Sequence, residues 1–169
     1  MRSSDAFEMP ADLRRIYLDA NVLLAYVGNE EGRADTVQAL LDEARQGRIE
    51  VLTSVLSIAE VAYGAHERDA GLTELGEEDI EQLWTPSSPV TLVDVSQAVT
   101  RHARTLIRKA KSQTMGGLRS ADAIHLATAR MFGCDEIFTY EGTGRRERWQ
   151  QVVEIPVSEP VIDTPQLGF

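Results

Sequence analysis

Short apolar, β-rich runs alternate along the chain with longer segments whose apolar residues recur every three or four positions. "RRIYLDAN" reads as a buried strand ending at Asp19, and "VLLAYV" continues it as one or two helical turns. "GRADTVQALLDEARQG" places Val37, Leu40, Leu41 and Ala44 on one helical face, with Gly47 as a stop signal. "RIEVLTS" reads as a second strand. "SVLSIAEVAYGAHERD" reads as a helix, apolar on nearly every side and so expected to be mostly buried, with Ser54 as its candidate N-cap. "TELGEEDIEQLW" is a short acidic helix broken by the Pro86–Pro89 stretch, and "VTLVDV" is a third strand. "SQAVTRHARTLIRKAKSQ" is a long helix capped by Ser96, and "TMGG" leads from it to the helix "LRSADAIHLATARMFG", with Ser120 as candidate cap. "CDEIFTY" is a fourth strand, "RRERWQQV" a short helix, and "VEIPV" a candidate last edge strand.

Strands alternating with helices predict an α/β domain of three layers, α/β/α, around a mostly parallel sheet of four to five strands. Residues 1–13 read as a leader, 14–157 as one domain and 158–169 as a Pro-rich tail. In such sheets ligands sit beyond the carboxyl ends of the strands. Asp19, at the end of strand one, and Glu141, just past strand four, both fall at that edge.

Composition narrows the field. The 169 residues suffice for one real core, at 43% hydrophobic and 26% charged. Cys134 is the only cysteine, which excludes an internal disulfide and a four-cysteine zinc site, and is compatible with the reducing cytoplasm expected here. No apolar run approaches the length of a membrane span, about 20 residues. The formal net charge of −10 argues against tight nonspecific nucleic-acid binding. Charge is nevertheless uneven: seven acids lie between Glu67 and Glu81, and five basic residues with no acid between Arg101 and Lys111.

Four acids stand out. Asp19 interrupts the apolar run "IYLDANVLLAYV", where a carboxylate is costly unless it caps a helix, is paired or binds a metal. Glu60 is the only charged residue from Ser54 to Ala65 and must be paired, for example with a distant arginine, protonated or ligating. Asp122 falls in the first turn of its helix, where the dipole favours an acid, and Glu141 alone says little. Together they come from two helices and two strand ends at one sheet edge. Converging carboxylates repel each other, and oxygen-only ligation suits Mg²⁺ or Mn²⁺ rather than zinc or copper.

On these residues the chain resembles the PIN-domain family of metal-dependent ribonucleases, and among them the VapC-like toxins of toxin–antitoxin pairs. "IYLDANVLLAYV" resembles the family's opening strand, with Asp19 and its companion Asn21. "TSVLSIAEVAYG" resembles the helix presenting the second acid, Glu60, and "LRSADAIHLATARMFGCDEIFT" the block presenting the third, Asp122. "FTYEG" resembles the family's threonine–asparagine–aspartate strand end, with Thr139 and Glu141 in the matching positions; the family's aspartate is here the longer glutamate. The resemblance implies hydrolysis of single-stranded RNA to 5′-phosphate and 3′-hydroxyl ends. It places Asp19, Glu60, Asp122 and Glu141 around Mg²⁺ or Mn²⁺, with Asn21 and Thr139 orienting them. It also implies a small antitoxin partner and a possible homodimer.

RNA needs cations. Arg145, Arg146 and Arg148 follow Glu141 and are candidate phosphate contacts. Arg101, Arg104, Arg108 and Lys111 share one face of the long helix, and the simpler reading pairs them with the acidic segment 67–81. His125, three residues after Asp122, reads as packed or exposed rather than as a metal ligand. His66 and His102 carry no signal, and Trp84 and Trp149 read as packing anchors. Two other functions compete: a non-catalytic RNA- or protein-binding module, and a metal-dependent phosphatase. The phosphatase would need an aspartate where Asn21 stands.

Overall fold

A computed structural model describes residues 13–68, 74–113 and 116–162, with no side-chain detail for 65–68 and 74–76. Nearly all of the leader, 1–12, and most of the tail, 163–169, lie outside the described residues, as do part of the acidic segment and of the "TMGG" loop. Strands β1 (Arg14–Leu18), β2 (Ile49–Ser54), β3 (Val90–Val93), β4 (Glu136–Phe138) and β5 (Val157–Ser158) form one sheet in the order β3-β2-β1-β4-β5. Every pairing is parallel. The helices are α1 (Ala20–Val27), α2 (Ala34–Arg45), α3 (Leu56–Arg68), α4 (Glu74–Gln82), α5 (Gln97–Ser112), α6 (Ser120–Met131) and α7 (Thr143–Val153).

Strand alternation sorts the core into two layers. Ile16, Leu18, Val51, Val90 and Phe138 point to one face, where Val22 and Leu23 of α1, Val37 and Leu41 of α2, Val61 of α3 and Ile80 of α4 cover them. Tyr17, Leu52, Val93, Ile137 and Val157 point to the other, against Val99 and Leu106 of α5, Leu126 of α6 and Trp149 and Val152 of α7. Strand order reverses across β1, flanked by β2 on one side and β4 on the other. That opens a crevice beyond the carboxyl ends of β1 and β4, which is where Asp19 and Glu141 emerge.

Four local expectations change. α7 runs on to Val153, where "VEIPV" is expected to begin a strand, and Glu154 ends it in the left-handed region (φ 59°). The helix persists because Trp149, Val152 and Val153 form its buried stripe, and because Lys109 and Arg130 donate to the carbonyls of Val152 and Val153 at its C-terminus. Residue 119, not Ser120, is the N-cap of α6, while Ser54 Oγ accepts from Leu56 N–H (3.2 Å) beside α3 and Ser96 caps α5 as expected. The basic face of α5 and the acidic α4 lie on opposite faces of the sheet. Arg101, Arg104, Arg108 and Lys111 therefore make no ion pair with α4 among the described residues. Finally, α3 is buried on one side only: Ser57 and Val61 face inward, while Ile58, Ala59, Ala62 and Tyr63 (66% exposed) form an apolar stripe facing solvent.

Candidate active site

Asp19 is built by the strand-to-helix turn. Its backbone is extended (φ −70°, ψ 153°), its N–H donates to Phe138 O on β4 (3.0 Å), and its Oδ1 accepts from Ala20 N–H (2.9 Å) as the N-cap of α1. The N-cap and the candidate ligand are therefore the same side chain. Its Oδ2 accepts from the Thr139 hydroxyl (2.9 Å), and Thr139 Oγ1 in turn accepts from Asn21 Nδ2 (3.1 Å) and Glu141 N–H (3.2 Å). Asn21 Oδ1 accepts from Tyr140 N–H (3.1 Å). Asn21 and Thr139 thus sew the end of β1 to the end of β4, and with 7% of its surface exposed Asp19 has no room to wander.

Glu60 and Glu141 are held differently. Glu60 Oε2 lies 2.5 Å from His125 Nε2, and Glu141 Oε1 lies 3.0 Å from Arg145 Nη1. Each glutamate spends one oxygen on a cationic or N–H partner and keeps the other. His125 is 1% exposed and 3.9 Å from Asp19 Oδ1, and its Nδ1 lies 2.6 Å from the Tyr17 hydroxyl, which accepts from Ser54 N–H (3.0 Å). With the ring neutral, Tyr17 donates to Nδ1 and Nε2–H donates to Glu60; with the ring protonated, both ring nitrogens donate. In both states His125 has no lone pair left for a metal. The partner that Glu60 requires is thus a histidine and not an arginine.

The acids feel one another. Burial raises the Asp19 pKa, opposed by the charge of His125 and the bond from Thr139 and assisted by Glu60. Burial also raises that of Asp122, as do the charges of Asp19 and Glu141, against Arg145 and His125. Burial alone would depress His125, but its bond to Glu60 and the charges of Asp19, Glu60 and Asp122 outweigh that and raise its pKa. The donor set at this edge is therefore all carboxylate oxygen, carrying excess negative charge in partly dry surroundings, which fits a hard divalent cation. Among the described residues no three potential ligands converge on one point in this arrangement.

The three arginines after Glu141 separate. Arg145 and Arg148 line a cavity beside Asp122, whereas Arg146 turns to Glu159 (2.8 Å) and Thr143 Oγ1 (3.2 Å). Two contributors carry little sequence signal. Tyr17 looks like one more apolar strand residue, and only its place on the α6 face of the sheet brings it to His125. Arg119 stands alone in "LRSADA" yet lines the same cavity.

The PIN domain family profile matches residues 16–143. No curated protein sequence matches the chain. Several solved structures share the fold, three of them as follows. VapBC2 from Rickettsia felis, bound to a DNA fragment from its promoter, is 12% identical over 86% of this chain and 98% of its own (TM-score 0.63). FitAcB from Neisseria gonorrhoeae is 20% identical over 86% and 97% (TM-score 0.59). VapC20 from Mycobacterium tuberculosis, a sarcin–ricin loop-cleaving toxin, is 16% identical over 77% and 92% (TM-score 0.59).

Proposed function

The chain belongs to the PIN domain family, and from that premise we propose that it is a Mg²⁺- or Mn²⁺-dependent endoribonuclease acting on single-stranded RNA as the toxin of a toxin–antitoxin pair. The observation that carries the reading is the crevice at the ends of β1 and β4. There the charge of the buried Asp19 helps to raise the Asp122 pKa, with Glu60 and Glu141 alongside. These four residues would hold the cation. When bound, it stabilises charge on the phosphate and acidifies water for in-line attack. The protein's own contribution is orientation: Thr139 and Asn21 aim Asp19, His125 holds one oxygen of Glu60, and Arg145 holds one of Glu141.

The toxin assignment draws on the shared fold with VapBC2 and FitAcB, and on the exposed apolar stripe of α3, which suits a protein partner such as an antitoxin or a second copy of the chain. Among the described residues no helix is long and apolar enough to cross a membrane. The Glu141–Arg145 pair, which neutralises the family's fourth acid position, favours a binding module as the second reading. Cleavage of a labelled single-stranded RNA with Mn²⁺, beside calorimetry of Mn²⁺ binding, separates the two. A nuclease loses both signals in Asp19→Asn and Asp122→Asn. RNA binding without cleavage by the wild type would establish the module.

A further inference from the structure

The cavity, which Asp122 itself helps to line, holds about 220 Å³ between the loop before α6, Ala110 of α5 and the length of α7. Arg119 lines it from the start of α6, and Arg145 and Arg148 line it from α7. Leu118, Trp149 and Val152 give it an apolar floor. Arg145 is already engaged by Glu141, so it bridges the cavity and the acidic crevice. Arg148 is braced by a bond from its Nε to Gly144 O (3.2 Å). Its guanidinium also rests against Gly116: a Cβ there would lie 3.4 Å from Arg148 Nη1, and the φ of +80° favours glycine. Arg119 makes no ion pair or side-chain hydrogen bond among the described residues.

Three guanidinium groups around an apolar floor, in a chain of net charge −10, form a local anion site that the global charge hides. The cavity falls below the size that encloses a whole small-molecule ligand, about 300–1,000 Å³. It therefore suits one unit of a polymer whose next unit lies at Asp122. Resting on the ribonuclease reading, we propose that this cavity is a substrate subsite, in which Arg119 and Arg148 grip the RNA phosphate adjacent to the scissile one. Arg146, turned away to Glu159, takes no part. The subsite sets strand position rather than chemistry, because the residues proposed to hold the cation are the four acids and not Arg119 or Arg148.

The full chain tests this with Arg119→Gln, Arg148→Gln and, as the control, Arg146→Gln. Affinity for a fluorescent single-stranded RNA is measured by anisotropy with Ca²⁺ over a range of salt, and cleavage is measured with Mn²⁺. Arg119→Gln and Arg148→Gln should each weaken binding roughly tenfold. Each should also flatten the slope of log affinity against log salt by about 0.7. KM should rise with kcat nearly unchanged, and Arg119→Lys should recover part of the slope. Arg146→Gln should match the wild type. A wild type that binds and cleaves RNA while both cavity variants keep its affinity, slope and KM would overturn the subsite and leave the nuclease reading standing. A wild type that neither binds nor cleaves RNA would overturn both. An acidic peptide that binds as tightly as RNA, and is lost in the same two variants, would give the cavity to a protein segment and overturn the proposal.

Discussion

The two halves of the acidic crevice are made from different materials. Around Asp19, every side-chain polar atom of Asp19, Asn21 and Thr139 named above answers a backbone N–H or another member of the same trio. These bonds tie β1 to β4 and belong to the fold itself. Around Glu60 and Glu141, the partners are the side chains of His125 on α6 and Arg145 on α7. The first half is an anchored datum. The second consists of side-chain pairs that a ligand can rearrange without disturbing the sheet. Damage to the first should therefore register in stability, and damage to the second in binding and pH dependence.

Asp19→Asn gives the largest separation of the two quantities. Cleavage should fall at least about 100-fold, consistent with loss of a ligand rather than of a supporting bond. Stability without metal should move the opposite way. Asp19 keeps its proton to higher pH in the folded chain than in the unfolded one, where the pKa is about 3.9. The folded state therefore binds more protons, and stability falls as pH rises through the folded pKa. Removing the charge removes that cost. The metal-free variant should melt a few degrees above wild type at neutral pH, and the gap should close in acid. Equal melting curves across pH would show that the buried charge costs nothing.

Thr139→Val strikes the anchored half directly. It leaves Asp19 Oδ2, Asn21 Nδ2 and Glu141 N–H without their shared partner, at a cost of about 1–3 kcal/mol. That corresponds to a melting point lower by roughly 2–10 °C for a chain of this size. Glu60→Gln is the matched change in the other half. Its amide oxygen can still accept from His125, so metal-free melting should stay within about 1 kcal/mol while Mn²⁺ affinity falls at least about tenfold. If Glu60→Gln destabilised the apo protein as much as Thr139→Val, the two halves would not differ.

The same division explains what the sequence could tell. An aspartate inside "IYLDANVLLAYV" stands out because local hydrophobicity makes it expensive, and the parallel α/β sheet follows from strands alternating with helices. The Asp19–Thr139 bond spans 120 residues and exists because β1 pairs with β4, a matter of strand order that no local pattern encodes. Asn21 and Thr139 were accessible only through the family's motif. The need of Glu60 for a partner was legible in an otherwise uncharged helix, but the partner was not. His125 reaches it because α6 and α3 meet over the strand ends, with Tyr17 fixing the ring from below. Arg119 was silent for the same reason: its place beside Arg148 comes from the meeting of the α6 loop and α7.

Arg145→Gln should have the smallest effect on the fold and a directed one on the site. The Glu141–Arg145 pair is about a third exposed on both sides, so losing it should change stability by less than about 1 kcal/mol. Arg145 also opposes the burial and the neighbouring acids that push the Asp122 carboxyl upward. Without it, Asp122 holds its proton to still higher pH, and a protonated carboxyl cannot serve a cation. The acid limb of Mn²⁺-dependent cleavage should therefore move to higher pH, while the rate on the alkaline side changes little for an RNA added far above its KM. Glu141→Gln should move the same limb the other way, because it removes a negative charge that raises Asp122. Opposite shifts from two partners of one ion pair would tie the limb to Asp122. A limb that stayed fixed in both variants would place the rate-controlling proton elsewhere.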